Sequence, residues 1–487
     1  MPWTRSWGID DGQRVGPDLA GPHRVVGGEI AQALQDKRVT AQELVEAAIG
    51  RHERFGERLN AYSLWSPEQA RVVAKAADAA FAAGVAVGPL QGLPVSIKDL
   101  FAASGYPCFA GSSRRLPSDP WERDGPLVAK LRRQLGVIMG KTHMVEFAFG
   151  GTGHNSHWGA PYNPWDSRSH RAPGGSSSGA GLSLLEGSAL LAFGSDTAGS
   201  VRIPASMTGN VGLKVTLGRW STEGVVPLST TFDTPGLLAR SVSDVAYGFA
   251  TLDSAGIDPV GFITRAAARD LTGIRIGVGD PFLWRDCDAG IVETVQEAVN
   301  ELVQAGAIAH NFTLSEAEAA YAVFLEGGLS AIELRSFLDQ ELPDWLGQLD
   351  PVIAPAVRNA EALSARDYLA RIARLRALAR SAGPRLDAVD LIVAPTLCLT
   401  PPLMSDVADA DSHLRVNRRI VRNTVAINYL GLCALTMPVG CDRAGMPVGL
   451  QLIAPAGAEE RLVAIGLAAE RVLGTAADRL GTPPLLS

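Results

Sequence analysis

Gly174-Gly175-Ser176-Ser177-Ser178-Gly179 and, after an apolar run, Gly194-Ser195-Asp196-Thr197-Ala198-Gly199-Ser200-Val201-Arg202 are the stretches that decide how this chain is read. Both are loops of small residues beside segments that look regular. Glycine lets backbone N–H groups approach a bound group without interference from a Cβ atom. A row of such groups ending on a serine is what a nucleophile and an oxyanion hole require. The tract 174–181 is no linker, because it runs straight into the apolar segment 182–191 and so reads as a tight loop feeding a helix.

Outward from these loops, short apolar runs alternate with amphipathic ones, which predicts an α/β architecture. Strands are expected at 93–97, 137–139 and 189–193, ending in Lys98-Asp99, Gly140-Lys141 and Gly194-Ser195-Asp196. Polar residues at the C-terminal ends of buried strands are where open α/β sheets hold ligands. Further strands are expected at 274–278, 391–394, 434–438 and 448–453. Thr40-Ala41-Gln42-Glu43 and Ser66-Pro67-Glu68-Gln69 have the form of capping boxes, opening helices to about 55 and 83. Helices are also expected at 290–305, 365–381, 413–428 and 458–473. The Ala-, Leu- and Arg-rich segment 316–385 reads as a helical insertion over one face of the sheet.

Composition narrows the function classes. The 487 residues carry 44 Lys and Arg against 51 Asp and Glu, a net charge of −7, with no basic block of the kind a nucleic-acid binder shows. The five cysteines, Cys108, Cys287, Cys398, Cys433 and Cys441, are odd in number and form no CxxC, so they read as buried thiols in a reducing compartment. The first 28 residues lack the apolar core of a signal peptide, and the apolar run near 182–193 is too short to span a bilayer. The expected location is the cytoplasm, with no membrane or nucleic-acid partner.

Two other chemistries compete. Gly175-Ser176-Ser177-Ser178-Gly179 fits the GxSxG elbow, which would make Ser177 a nucleophile, but 167–173 is polar rather than strand-like and the later histidines, His310 and His413, sit in helical or irregular surface segments. His154 and His157 are three apart, with His143 and His170 nearby, yet the surrounding glycines argue for a loop and no carboxylate has ligand spacing. No metal and no cofactor are expected.

With Lys98 upstream, the two loops and their spacing resemble the amidase signature family. The likeness extends to Gln91-Gly92-Leu93-Pro94-Val95, Asn163-Pro164-Trp165, Gly212-Leu213-Lys214 and Met446-Pro447-Val448-Gly449-Leu450. The resemblance implies a single large α/β domain, a mixed, twisted central sheet with helices on both faces. Residues 1–26 would be an N-terminal extension, 27–475 the amidase domain with its variable insertion at 316–385, and 476–487 a tail. It implies Lys98 as the base, Ser176 as a bridging serine after a cis peptide bond, and Ser200 as the nucleophile. The N–H groups of Thr197, Ala198, Gly199 and Ser200 would form the oxyanion hole, with Asp196 and Arg202 bracing the loop. Two residues depart from the family pattern: Ala198 stands where Gly is usual, and Val215 replaces the Pro after Lys214.

The residue types suit the implied chemistry. A serine hydroxyl needs a base within hydrogen-bond reach, and lysine serves only when neutral, a state that burial favours. A second hydroxyl can carry the proton between them and return it to the leaving nitrogen. The expected reaction is hydrolysis of a C–N amide bond through a Ser200 acyl-enzyme, releasing ammonia or an amine from a small amide or carbamate. The alternatives are the amidase subunit of a tRNA-dependent amidotransferase, or a carbamate or ester hydrolase using the same three residues. The loop 149–158, with Gly151 and Thr152, is expected to line the substrate pocket, and Met144 and Phe147 to form its apolar wall. A homodimer or other homo-oligomer is a family-level expectation.

Overall fold

The computed structural model describes residues 27–253 and 257–487; the expected extension 1–26 lies outside the described residues. Among them, eleven strands form one mixed sheet. They are β1 (Tyr62–Trp65), β2 (Pro94–Lys98), β3 (Val137–Thr142), β4 (Leu191–Asp196), β5 (Val211–Lys214), β6 (Thr234–Ala239), β7 (Arg275–Val278), β8 (Ile308–Asn311), β9 (Leu391–Pro395), β10 (Cys433–Cys441) and β11 (Pro447–Ala454). Their spatial order is β1-β3-β2-β4-β6-β5-β10-β11-β9-β7-β8.

The alternation of side chains along the strands divides the interior between two faces. Leu391 and Val393 of β9, Cys433 and Leu435 of β10, and Leu450 and Leu452 of β11 join one apolar cluster. Their neighbours Ile392, Ala394, Ala434 and Ile453 join the other. Burying both faces makes these strands read as continuous apolar runs, which is why the sequence located them.

All seven expected strands form. β1, β5, β6 and β8 form beyond the expected strands, and each lacks a clear sequence signal for a local reason. β6 carries Pro235 and Gly236 between two neighbours, β4 and β5, where neither residue type is favoured. β5 carries Gly212, while β1 and β8 are four-residue edge strands and β8 is exposed throughout. The helices follow the sequence closely, including Ala41–Leu59, whose capping box between Thr40 and Glu43 is present. Ser66 departs: its side chain makes no cap hydrogen bond, and its N–H donates to Met139 O at 3.0 Å, extending the pairing of β1 with β3.

The expected insertion at 316–385 is spanned by the helices Ser315–Leu325, Leu329–Glu341, Ala354–Asn359 and Ala365–Leu386, the first and last of which extend one residue beyond it. The last dozen residues pack against the body, with Leu485 N–H donating to Pro164 O at 3.1 Å and Leu486 buried against Phe55 and Leu59. No described helix is long and apolar enough to cross a membrane.

Candidate active site

β2 and β4 are parallel neighbours, registered Val95 to Leu191, Ser96 to Ala192 and Ile97 to Phe193. Their C-terminal ends therefore deliver Lys98 and the segment from Gly194 onward to one place at the end of these two interior strands. The third component comes from the loop that opens the helix Ser178–Glu186, where the Gly175–Ser176 peptide bond is cis.

Lys98 is fully buried. Its Nζ donates to Ser176 Oγ at 2.7 Å and to Ser195 Oγ at 2.8 Å. Burial lowers the pKa of its ammonium from 10.5 to about 7, against the opposing pull of Asp233 and Asp196. A neutral amine is thus readily available near pH 7, held against a hydroxyl. Ser200 is 5% exposed, and its carbonyl accepts from Ser177 N–H at 3.3 Å. Among the described residues, no hydrogen bond joins the Ser176 and Ser200 hydroxyls.

Asp196 and Arg202 brace the loop between them. Asp196 accepts from Arg202 Nη2 at 3.0 Å and Nε at 3.1 Å, from Asn428 Nδ2 at 2.8 Å and from Val201 N–H at 3.2 Å. Burial alone would raise this carboxyl, but Arg202, Lys214 and Asn428 together hold it well below the usual carboxylate range. The Arg202 guanidinium is itself filled, donating to Gln451 Oε1 at 2.6 Å, to Thr424 O at 3.1 Å and to Asn428.

Gly199 departs from the arrangement of four free donors. Its N–H donates to Asp196 Oδ1 at 2.8 Å and so is engaged within the loop. Its φ of +127°, and the Thr424 hydroxyl crowding the place a Cβ would take, explain why glycine occupies this turn. The N–H groups of Thr197, Ala198 and Ser200 make no hydrogen bond among the described residues, and these three residues line the adjoining cleft.

That cleft, of about 450 Å³, opens on Ser200. It is lined by Ala148, Phe149, Gly150 and Gly151, by Phe324, Leu329 and Leu363 of the 316–385 segment, and by Asn417 and Val421 of the helix Ala410–Tyr429. Gly151 is where the sequence placed it, its N–H held by Asn417 Oδ1 at 2.7 Å. Met144, Phe147 and Thr152 do not line the cleft. Met144 and Phe147 are buried in the main core, Phe147 edge-on to Trp345 at 6.0 Å. Thr152 is buried with its hydroxyl accepting from His154 N–H at 3.1 Å. Phe147 is instead satisfied by packing against Phe337 and Trp345.

Sequence reasoning missed three other contributors. Ser195 is the second hydroxyl on Lys98. Asp233 accepts from Thr197 Oγ1 at 2.6 Å and from the N–H groups of Leu228 and Ser229 at 2.9 and 3.0 Å, and burial raises its carboxyl to about 6. The face of the Ala410–Tyr429 helix that carries Leu414, Asn417, Arg418 and Val421 was legible as helical periodicity, but its direction was not. His154 and His157 serve different acids, Asp350 at 3.8 Å and Glu146 at 3.3 Å. Among the described residues, no group of three or more His, Cys, Asp or Glu could hold a metal ion.

Residues 43–463 match the sequence model of the amidase family. A 2-amino-5-chloromuconic acid deaminase from Comamonas testosteroni is 48% identical over 457 residues, which cover 94% of this chain and 98% of the relative. One chain of the glutamyl-tRNA(Gln) amidotransferase of Acidothermus cellulolyticus is 32% identical over 494 residues, covering 93% of this chain and 95% of that relative. Among solved structures, a crystal structure of an amidase superposes with a TM-score of 0.80 at 29% identity, covering 92% of this chain and 100% of that one.

Proposed function

The chain belongs to the amidase family, and from that premise we propose that it hydrolyses a C–N bond of a small molecule through a Ser200 acyl-enzyme. The observation that carries the reading is the buried Lys98 amine 2.7 Å from the Ser176 hydroxyl. In this reading Lys98 takes the Ser176 proton while Ser176 takes that of Ser200. Ser200 Oγ then attacks the carbonyl carbon, and the contact between the two hydroxyls closes as substrate fills the cleft. Negative charge develops on the carbonyl oxygen, and the free N–H groups of Thr197, Ala198 and Ser200 are the donors available to it. The relay returns its proton to the departing nitrogen, because an amide anion is a very poor leaving group. Ammonia or an amine leaves, and water attacks the ester carbonyl with the same relay as base, restoring Ser200. Asp196 and Arg202 keep the loop in shape and take no part in proton transfer.

The same proposal treats 27–475 as one amidase unit with 316–385 as its variable cap, acting in the cytoplasm as a homo-oligomer. Support for location and assembly is the sequence reading and the family likeness. A second reading is that the bond cleaved is that of an amino group on an unsaturated dicarboxylic acid; the 48% identity to the Comamonas testosteroni deaminase favours it. Release of ammonia from aliphatic amides and aminomuconic acids, and of aniline from anilides, by the purified chain alone tests both. Release without a partner protein, lost in Ser200→Ala, is expected. Turnover equal in Ser200→Ala, or only with an added partner protein, would overturn it.

A further inference from the structure

Among the described residues, four charged ones line the cleft beside Ser200: Glu326, Asp367, Arg371 and Arg418. Three are already matched. Glu326 sits between Arg371 at 3.1 Å and Arg374 at 2.7 Å. Asp367 accepts from Ser364 Oγ at 2.7 Å at the start of its own helix, with Arg366 at 3.7 Å. Arg418 differs: its carbonyl accepts from Tyr321 Oη at 3.0 Å, but among the described residues its guanidinium has no ion pair and no hydrogen bond. Among the described residues, the uncompensated charge of the cleft wall is therefore a cation, on a solvent-exposed residue.

Along the axis of the helix Ala410–Tyr429, Arg418 is set back from the level of the oxyanion loop. Thr424 marks the level of the oxyanion loop, its hydroxyl donating to Ala198 O at 2.6 Å. Arg418 lies six residues earlier (424 − 418), or about 9 Å at the helical rise of about 1.5 Å per residue. An extended chain of about six carbons, with bonds of about 1.5 Å, is of that order of length. Val421, Phe324 and Leu363 supply apolar lining to the same cleft.

Resting on the Ser200 reading above, we propose that Arg418 is a specificity-determining residue that receives a carboxylate at the far end of the substrate. The substrate class is then short linear acids carrying the cleavable nitrogen at one end and an anion about six carbons away. A guanidinium offers a carboxylate two parallel N–H donors, and such charge-assisted pairs are the stronger class of hydrogen bond. The apolar wall accommodates the uncharged middle of the chain.

The test compares adipamate, the monoamide of a six-carbon diacid, with hexanamide, which lacks the distal charge. Wild type should favour adipamate at least tenfold in kcat/KM. Arg418→Gln should collapse that ratio towards one, chiefly through KM, and Arg418→Lys should recover part of it. An unchanged ratio in Arg418→Gln would overturn the proposal. Labelling of Ser200 by a fluorophosphonate reports the functional reading separately, and protection against labelling by adipate reports this one. Should neither amide be turned over, protection at least tenfold weaker in Arg418→Gln supports the assignment, and equal protection refutes it. If Ser200 does not label, the Ser200 reading falls, and calorimetric binding of adipate to the same two proteins decides the role of Arg418 by the same criterion.

Discussion

Lys98 should make the protein more stable as pH rises through the neutral range. Folding takes its pKa from 10.5 to about 7, because burial outweighs the attraction of Asp233 and Asp196. Below about pH 7 the amine is charged in both states, and at about 1.4 kcal/mol per pH unit the difference costs the folded state about 5 kcal/mol. Between about pH 7 and 10.5 only the unfolded chain holds the extra proton, so raising the pH removes that cost. Relative to Lys98→Met, whose side chain has similar reach and no charge, the wild type should gain about 2 kcal/mol of unfolding free energy between pH 7 and 9. Urea unfolding of both proteins at pH 7, 8 and 9 measures this. The hydrogen bonds that Lys98 makes to Ser176 and Ser195 add an offset without pH dependence, so the slope, not the height, is the signature. Parallel pH curves for the two proteins would refute a neutral buried amine.

Other consequences follow from the same geometry. Arg202→Leu leaves the Asp196 carboxylate buried and without its main partner, and should cost about 3–5 kcal/mol in thermal or urea unfolding. Gly199→Ala should abolish Ser200 labelling, because the new Cβ meets the Thr424 hydroxyl in a left-handed turn; intact-mass spectrometry after probe treatment reads the result. Asp233→Asn removes an anion that raises the Lys98 pKa, so the rise of activity with pH should move to lower pH, as initial rates between pH 5 and 9 would show. Phe147→Ala should lower stability by about 3–5 kcal/mol and leave KM within about twofold, since this ring packs in the core rather than lining the cleft.

Much of the site could be read from the sequence because its chemistry depends on local backbone. Lys98 at a strand end, the serines after Gly175 and the small residues before Ser200 are each contiguous signals, and parallel pairing of β2 with β4 brings them together. What escaped depends on contacts distant in sequence. Arg418 is an ordinary helical arginine until the fold turns its face towards Ser200. Asp233 reaches Thr197 only because β6 pairs with β4, and β6 was hidden by Pro235 and Gly236. Phe147 misled for the opposite reason: an aromatic beside a glycine-rich loop suits a pocket wall and a core equally, and only Trp345 and Phe337 from the cap segment decide for the core. The engagement of the Gly199 N–H is not legible in sequence, which shows that a donor exists and not that Asp196 already holds it.

The central claim is that a buried amine draws the proton of Ser200 through Ser176. The rate of fluorophosphonate labelling as a function of pH, followed by intact mass and peptide mapping, tests it most directly. The account predicts a single adduct on Ser200, a rate that rises with a midpoint near the Lys98 value of about 7, and a slow, pH-insensitive rate in Lys98→Ala. An adduct on Ser177, or a wild-type rate unchanged between pH 5 and 9, would contradict it.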